Sequence, residues 1–232
     1  MLIFVTGANK GLGYETGRRL AEVGHRVIVG ARDADRGRAA AASLGNSARF
    51  VQIDVADDAS VTAAADDVLA NEGYIDVLVN NAGVGGPRCS IDDVTAADAM
   101  KVFDTNVFGI IRVTGAFLPL LYKSATPVIV NVGSGLGSFA RTHQPGAMEA
   151  QVVAPIYAAS KAAVSMLTSQ YAKALPGMRV NAVDPGFTKT DLNGGAGFQT
   201  VTEGTDAVVA MATVGPDGPT GTFRDRVSEV GW

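Results

Sequence analysis

The first thirteen residues constrain the fold more than any other stretch of this chain. Residues 2–5 form a short uncharged apolar run, the glycine-rich residues 6–13 follow it, and from Tyr14 onward the apolar residues recur at helical spacing. This order predicts a buried strand, a tight turn and a helix. Glycines let a backbone approach a ligand closely, and a helix start offers free N–H groups to a phosphate. The stretch therefore predicts a diphosphate cradle, although a glycine-rich turn alone can be only a turn.

Length and composition limit the classes of protein to which the chain can belong. Its 232 residues, 47% hydrophobic and 18% charged, are enough for one sizeable core, so we predict a single domain over residues 1–232. A net charge of −4 argues against nucleic acid or an anionic membrane as a partner. The single cysteine, Cys89, permits no internal disulfide and is typical of a reducing compartment. The opening apolar run is too short for a signal peptide or a membrane span, so we expect a cytoplasmic protein.

Apolar runs alternate with helical patterns along the whole chain. We predict further strands at residues 25–30, 49–53, 76–79, 127–132, 179–183 and, more weakly, around 222–223. Near-continuous β-branched runs suit strands that are covered on both faces. The predicted fold is α/β: a single-domain, doubly wound Rossmann fold with a mostly parallel seven-stranded sheet and helices on both faces. Three long connections after predicted strands, at about residues 84–97, 136–156 and 191–205, are candidate substrate loops.

The end of the second predicted strand bears on the choice of dinucleotide. Ala31 stands where an acid would bind the ribose 2′-hydroxyl of NAD, and Arg32 follows it, as an arginine that accommodates a 2′-phosphate would. Lys10 in the glycine loop adds a second cation, which we expect at the same end of the cofactor. These residues favour NADP, although Arg32 could also belong to a solvated charged turn with Asp33.

Tyr157 and Lys161 form the candidate catalytic pair. Residues four apart lie on one face of a helix, so the phenol and the ammonium can lie close together. A nearby cation lowers the pKa of a tyrosine, which makes it a usable general acid or base. A Tyr-x-x-x-Lys pattern alone is also common on ordinary helix surfaces. Here it opens a helix after a loop that carries Ser134 between two glycines.

The order of these motifs resembles the short-chain dehydrogenase/reductase family over residues 1 to about 191. The match rests on the glycine loop, an Asn-Asn-Ala-Gly turn at residues 80–83, Ser134, the Tyr157/Lys161 pair and the Pro-Gly pair at residues 185–186. Residues 8–11 and 31–33 also resemble the NADPH-dependent carbonyl reductase branch.

The resemblance implies a role for each matching residue. Tyr157 would donate the proton, Lys161 would lower its pKa, Ser134 would hold the substrate carbonyl oxygen, and Asn106, on a long helix before the fifth strand, would hold a water in a proton relay. The implied cofactor residues are Gly7, Asn9, Lys10, Gly11, Leu12, Gly13, Arg32, Asp54, Val55, Asn81, Ala82, Gly83, Tyr157, Lys161, Pro185, Gly186, Thr188 and Thr190. Taken singly, Asn106 could bond within its helix, Ser134 could be a turn serine, and Asp54 could be a helix N-cap.

The implied activity is NADPH-dependent reduction of a ketone or aldehyde. An NAD-dependent alcohol dehydrogenase of the same fold is the main alternative, and a non-catalytic dinucleotide-binding sensor is another. A serine hydrolase lacks its Gly-x-Ser-x-Gly elbow, and one cysteine with two distant histidines predicts no metal site. The family's helices on either side of the fifth strand imply a homodimer or homotetramer. The expected apolar walls of the substrate pocket are Phe139, Met148, Phe187, Leu192 and Phe198.

Overall fold

The computed structural model describes residues 1–87 and 90–232 and contains one parallel sheet between two layers of helices. Arg88 and Cys89 lie outside the described residues, and so does that part of the predicted loop at 84–97. The strands are β1 (Leu2–Thr6), β2 (Arg26–Ala31), β3 (Ala48–Gln52), β4 (Val77–Asn80), β5 (Val128–Val132), β6 (Arg179–Val183) and β7 (Phe223–Arg224). The helices are α1 (Gly11–Glu22), α2 (Ala34–Ser43), α3 (Asp58–Asn71), α4 (Ala96–Phe103), α5 (Gly109–Leu121), α6 (Phe139–Thr142), α7 (Pro155–Ala174), α8 (Val201–Gly204) and α9 (Asp206–Ala212).

The strand order is β3-β2-β1-β4-β5-β6-β7, and every pair of neighbours is parallel. The first three strands extend the sheet in one direction, and β4 then pairs with the opposite edge of β1. Connections that leave β1 and β4 in opposite directions open a crevice at their carboxyl ends, which is where this class of fold binds ligands. The predicted doubly wound fold is confirmed, and all seven strands are parallel.

Both faces of the sheet are buried because the strands are apolar at successive positions. Phe4 and Ile129 belong to a core that contains residues of α3 and α5, whereas Ile3 and Val130 belong to a core that contains residues of α1, α2 and α9. Alternate residues of one strand point to opposite faces, so a continuous apolar run supplies both cores. The near-continuous runs in the sequence therefore correspond to strands covered on both sides.

The predicted strand limits are correct for β6 and differ by about one residue elsewhere. The second strand runs from Arg26 to Ala31, not from His25 to Gly30, because Arg26 is the first residue in register with β1 and Ala31 still pairs with Gln52 of β3. Pairing with the neighbouring strands decides where each strand begins and ends, and the residues of one segment alone do not reveal that pairing. The weak seventh strand is present, displaced by one residue to Phe223–Arg224.

Buried polar side chains connect the sheet to α5 and α7 close to the carboxyl ends of β4 and β5. Asn80 Nδ2 donates to Asn131 Oδ1 at 2.9 Å and to Thr114 Oγ1 of α5 at 3.2 Å. Asn131 Nδ2 in turn donates to Thr168 Oγ1 of α7 at 2.9 Å. A satisfied buried network of this kind fixes the relative position of the elements that it joins. It sets α7, which carries Tyr157 and Lys161, against the middle of the sheet.

Gly137 lets the turn after β5 pack directly against the backbone of α7. A Cβ at this position would lie 2.7 Å from the Ala162 backbone nitrogen and from the Lys161 carbonyl oxygen, and neither backbone atom can rotate away. We expect Gly137→Ala to lower the free energy of unfolding by about 2–3 kcal/mol, measured by urea denaturation. Gly115→Ala in α5 is the matched control: no heavy atom lies within 4 Å, so this change should raise stability by about 0.5–1 kcal/mol. Equal effects of the two substitutions would contradict this account of the packing.

Candidate active site

The glycine loop is tied to the turn that follows β4. Thr6 Oγ1 accepts hydrogen bonds from the backbone nitrogens of Asn81 and Ala82 at 2.9 and 3.0 Å, and Asn81 Nδ2 donates to Thr6 O at 2.8 Å. Gly7 has φ +65° and Gly11 has φ +55°, a backbone region that favours glycine. A Cβ on Gly13 would collide with Asn81 Nδ2 and lie 2.6 Å from Gly7 O. The loop is therefore shaped by glycine at three positions.

Helix α1 begins at Gly11, three residues before the position that the periodicity predicted. Lys10 occupies the N-cap, and its side chain makes no capping hydrogen bond. The first N–H groups of a helix have no intrahelical partners, and the helix dipole favours an anion beside them. This end of α1 borders a cleft of about 580 Å³, so its free donors are available to a phosphate.

Arg32 and Lys10, the two cations expected at the adenosine end of the cleft, have different ion-pair partners. The Arg32 side chain is 80% exposed, and its Nη1 lies 3.8 Å from Asp54 Oδ2. Lys10 Nζ instead forms an ion pair at 2.8 Å with Asp191, which follows β6. Both residues line the cleft, but Lys10 contacts the loop on its opposite side. Asp54 is not a helix N-cap: its Oδ1 accepts from Ala56 N, and Asp57 caps α3.

Lys161 is buried on α7 and lines the cleft. Its Nζ donates to the carbonyl oxygen of Val132 in β5 at 2.7 Å and lies 5.7 Å from the centre of the Tyr157 ring. Burial lowers the pKa of Lys161 from 10.5 to about 8, and the charge of Asp184 opposes this shift. The ammonium therefore occupies a site where its charged form is disfavoured.

The pKa of Tyr157 moves in the direction opposite to the prediction. Burial raises it to about 12, the Ser134 hydroxyl partly opposes the rise, and the negative charge of Asp184 adds to it. The sequence spacing places Lys161 near the phenol but carries no information on the loss of water around the phenol, which penalises the phenolate. In this state of the protein Tyr157 is protonated at neutral pH.

Asn106 lies in a π-helical segment, Asp104–Phe108, that joins α4 to α5. The sequence predicted one long regular helix there, and such a bulge in a helix often marks a functional site. Asn106 is buried; its Oδ1 accepts from Val84 N at 2.8 Å, and its Nδ2 donates to Val84 O and to Ser160 Oγ. Asn106 Oδ1 and Lys161 Nζ lie 3.3 and 3.7 Å from the place that a Cβ on Gly83 would occupy, so both side chains lie close to that turn.

A second cavity, of about 720 Å³, adjoins the cleft at Tyr157 and Leu12, and Ser134 lies in its wall. The predicted cofactor residues that line the cleft are Gly7, Asn9, Lys10, Gly11, Leu12, Gly13, Arg32, Asp54, Val55, Asn81, Ala82, Gly83, Tyr157, Lys161, Pro185 and Thr190. Gly186 and Thr188 instead line the second cavity, and Asn106 lies behind the walls of both. The cleft and the second cavity meet at Tyr157. A ligand in the cleft and a ligand in the second cavity would therefore each have one end next to the phenol.

Residues of all three predicted loops line the second cavity. Met148, Phe187 and Leu192 lie in its wall as expected, but Phe139 and Phe198 do not, and they are 69% and 70% exposed. The wall also contains residues that the sequence argument did not select: Ile91, Val94, Glu149, Val152, Val153 and Asp184. Asp184 directly precedes the Pro-Gly pair, so its position in sequence was a usable signal. Glu149 lies within the predicted loop at 136–156, but nothing in that loop distinguishes it from its neighbours.

Two structural features of the described residues bear on other classes of protein. Across residues 1–87 and 90–232, no three histidine, cysteine or acidic side chains are grouped as a metal ion would require. None of the helices there has the length and apolar character of a membrane span.

Known proteins resemble this chain over nearly its whole length. The family model for short chain dehydrogenase matches residues 1–199. A short-chain dehydrogenase, anuI, of Penicillium roqueforti is 37% identical over 226 residues, covering 92% of this chain and 89% of that protein. A (+)-neomenthol dehydrogenase of Arabidopsis thaliana is 34% identical, with 97% and 96% covered. The crystal structure of NADPH-bound carbonyl reductase from chicken fatty liver superimposes with a TM-score of 0.88 at 28% identity, covering 99% of this chain and 98% of that one.

Proposed function

Because this chain belongs to the short-chain dehydrogenase family, we propose that it catalyses the NADPH-dependent reduction of a ketone or aldehyde to an alcohol. The observation that carries the proposal is the position of Tyr157 where the cleft meets the second cavity, with Ser134 beside it. The relative that is an NADPH-bound carbonyl reductase supports the same class of reaction. The direct test is consumption of NADPH, followed by absorbance, in the presence of a panel of aldehydes and ketones.

The residues of the cleft fit a dinucleotide. Gly7 and Gly11, both at positive φ, give the loop beside the cleft its tight turn, and the uncapped start of α1 offers N–H donors to the diphosphate. Asp54 and Val55 would border the adenine, and residues 81–83 the middle of the cofactor. Pro185, Gly186 and Thr188 would border the nicotinamide end, and Thr190 would lie near the diphosphate. When bound, NADPH supplies the hydride.

The chain itself supplies a proton and an orientation for the substrate. With a pKa of about 12 the Tyr157 hydroxyl is protonated at neutral pH, so it can donate a proton to the oxygen of a carbonyl group as negative charge develops there. The Ser134 hydroxyl would hold the same oxygen and fix the carbonyl carbon toward the cleft. Lys161 would pass a replacement proton toward Tyr157 from a water held by Asn106, and both side chains lie close to Gly83. Reduction uses Tyr157 in the protonation state that burial favours, whereas alcohol oxidation begins from the phenolate that burial disfavours.

Arg32 is the residue on which the preference for NADPH should depend. It is exposed at the rim of the cleft, and Ala31 leaves no acid to bind a ribose 2′-hydroxyl. We expect NADPH to bind at least about tenfold more tightly than NADH, a difference of about 1.4 kcal/mol, and Arg32→Asp to remove that difference in a fluorescence titration.

Arg36→Asp is the control for Arg32→Asp. Arg36 is equally charged and 69% exposed, but it pairs with Asp33 and does not line the cleft. This variant should retain the wild-type preference. If wild-type protein binds NADH as tightly as NADPH, the alternative of an NAD-dependent alcohol dehydrogenase replaces the proposal; if it binds neither, the enzyme assignment fails.

The proposal extends to the assembly and location of the protein. Phe108 and Ile111 on the π segment and α5, and Met166 on α7, are exposed apolar side chains on helices that flank β5. Burial of such residues favours association, so we propose a homodimer or homotetramer built through these helices. The single cysteine supports a reducing compartment, and we propose the cytoplasm.

A further inference from the structure

The second cavity carries charge of one sign. Among the described residues in its wall, the charged side chains are Glu149 and Asp184, and both are acidic. The rest of the wall is mostly aliphatic or aromatic, for example Ile91, Val152 and Phe187. A site with low-dielectric walls and carboxylates strengthens the effect of each charge on a ligand. A substrate in this cavity would therefore meet a negative potential in largely apolar surroundings.

Both carboxyl groups lie beside the residue that follows Ser134. Glu149 Oε1 and Asp184 Oδ2 are 2.5 and 2.9 Å from the place that a Cβ on Gly135 would occupy. The absence of a side chain at Gly135 thus lets two carboxyl groups approach the wall next to Ser134. Ser134 is the proposed partner of the carbonyl oxygen, so this acidic part of the wall lies near the reacting end of the cavity.

The two acidic side chains differ in how they are held. Asp184 is 6% exposed, and its Oδ1 accepts a hydrogen bond from Gly186 N at 2.9 Å. Burial raises the pKa of Asp184, and the nearby charges of Glu149 and Asp225 raise it further. Glu149 is half-buried, and its carboxylate has no hydrogen-bond or ion-pair partner within the described parts of the chain. Glu149 is therefore the group whose charge is available to a ligand.

We propose that Glu149 makes this cavity select carbonyl substrates that carry a positively charged nitrogen on an apolar body, and discriminate against anionic ones. The inference rests on the proposed carbonyl reduction and specifies its substrate class. An unpaired carboxylate near a ligand cation in a partly buried site changes relative affinity by about tenfold. The same carboxylate disfavours a ligand carboxylate, since like charges would be brought together away from water.

Three aldehydes of similar size separate charge from shape. The cationic probe is para-(trimethylammoniomethyl)benzaldehyde, the neutral probe is para-neopentylbenzaldehyde, which has nearly the same shape, and the anionic probe is para-formylphenylacetate. Their kcat/KM values are measured by NADPH consumption for the wild-type protein and for Glu149→Gln. Comparing ratios between probes, and then between proteins, cancels the intrinsic reactivity of each aldehyde.

We expect Glu149→Gln to lower the ratio of cationic to neutral kcat/KM about tenfold and to raise the ratio of anionic to neutral. Glu22→Gln is the matched control, because Glu22 lies on α1, is 62% exposed in its side chain and borders neither cavity. It removes the same charge and should leave both ratios unchanged. Ratios that are equal in wild-type and Glu149→Gln protein would overturn the inference.

A second readout separates failure of the inference from failure of the proposed function. If neither the three aldehydes nor any carbonyl compound of the panel is reduced, the proposed function fails, and the dissociation constants of the same probes are then compared by calorimetry. A ratio of cationic to neutral affinity that falls in Glu149→Gln still supports the charge selection. A ratio that is unchanged overturns it.

Discussion

Phenylalanine in place of Tyr157 should lower kcat about a thousandfold while NADPH still binds. The substitution removes only the hydroxyl, and the ring remains available to fill the wall between the cleft and the second cavity. The lost group is the proposed proton donor, which burial keeps protonated by raising its pKa to about 12. Without it, Ser134 can still contact a carbonyl oxygen but no adjacent group protonates that oxygen. The measurements are kcat from NADPH consumption and NADPH affinity from fluorescence.

Tyr171→Phe supplies the control on the same helix. Tyr171 is partly buried in α7 but lines neither of the two cavities, so removal of its hydroxyl should leave kcat unchanged. Near-normal turnover in Tyr157→Phe would refute the proposed role in proton transfer. Loss of NADPH binding in that variant would instead assign Tyr157 to cofactor binding.

The elements of the fold that could be predicted from sequence are those that a continuous run of their own residues specifies. The apolar runs of β1 and β6 each contain the information for a strand buried on two faces, and their order along the chain predicts the topology. Helix α1 shows the limit: Gly11 and Gly13 are poor helix formers, so periodicity placed the start at Tyr14. Packing of Gly13 against Asn81 compensates for that low propensity, and this contact joins residues far apart in sequence. Helix α6 has four residues, too few to show any period.

The same distinction applies to the candidate site. Most of the predicted cofactor residues line the cleft because they belong to short motifs at strand ends. Glu149 instead lies on a single 3₁₀ turn inside a long candidate loop, where the sequence does not indicate which side chains face the cavity. The pKa of Tyr157 was predicted in the wrong direction because sequence spacing gives the distance to a cation but not the loss of water around the phenol. The π segment that positions Asn106 was not predicted either. Its five residues, Asp-Thr-Asn-Val-Phe, have modest helix propensity, but this composition does not specify the extra residue of a π turn.

Lys161→Met should abolish most turnover and, in the absence of cofactor, stabilise the protein. Burial lowers the pKa of Lys161 from 10.5 to about 8, a shift that corresponds to about 3 kcal/mol of unfavourable free energy for the charged form. Methionine removes that cost but also the hydrogen bond to Val132 O, worth about 1 kcal/mol. We therefore expect the free energy of unfolding to rise by about 2 kcal/mol at pH 7, measured by urea denaturation.

The pH dependence of this gain distinguishes desolvation from a simple packing effect. Below pH 8 the lysine is charged in both the folded and the unfolded protein, so the wild type bears the full cost. Between about pH 8 and 10.5 the folded protein loses the proton first, and the contribution of Lys161 to wild-type stability rises with pH. The stability advantage of Lys161→Met should accordingly be largest at pH 7 and shrink by pH 10.

Lys173→Met, at an exposed position near the end of the same helix, should change stability little at either pH. A gain in stability that does not change with pH would mean that methionine merely packs better than lysine. A loss of stability at pH 7 would mean that the surrounding residues stabilise the buried ammonium, which would then have a structural role.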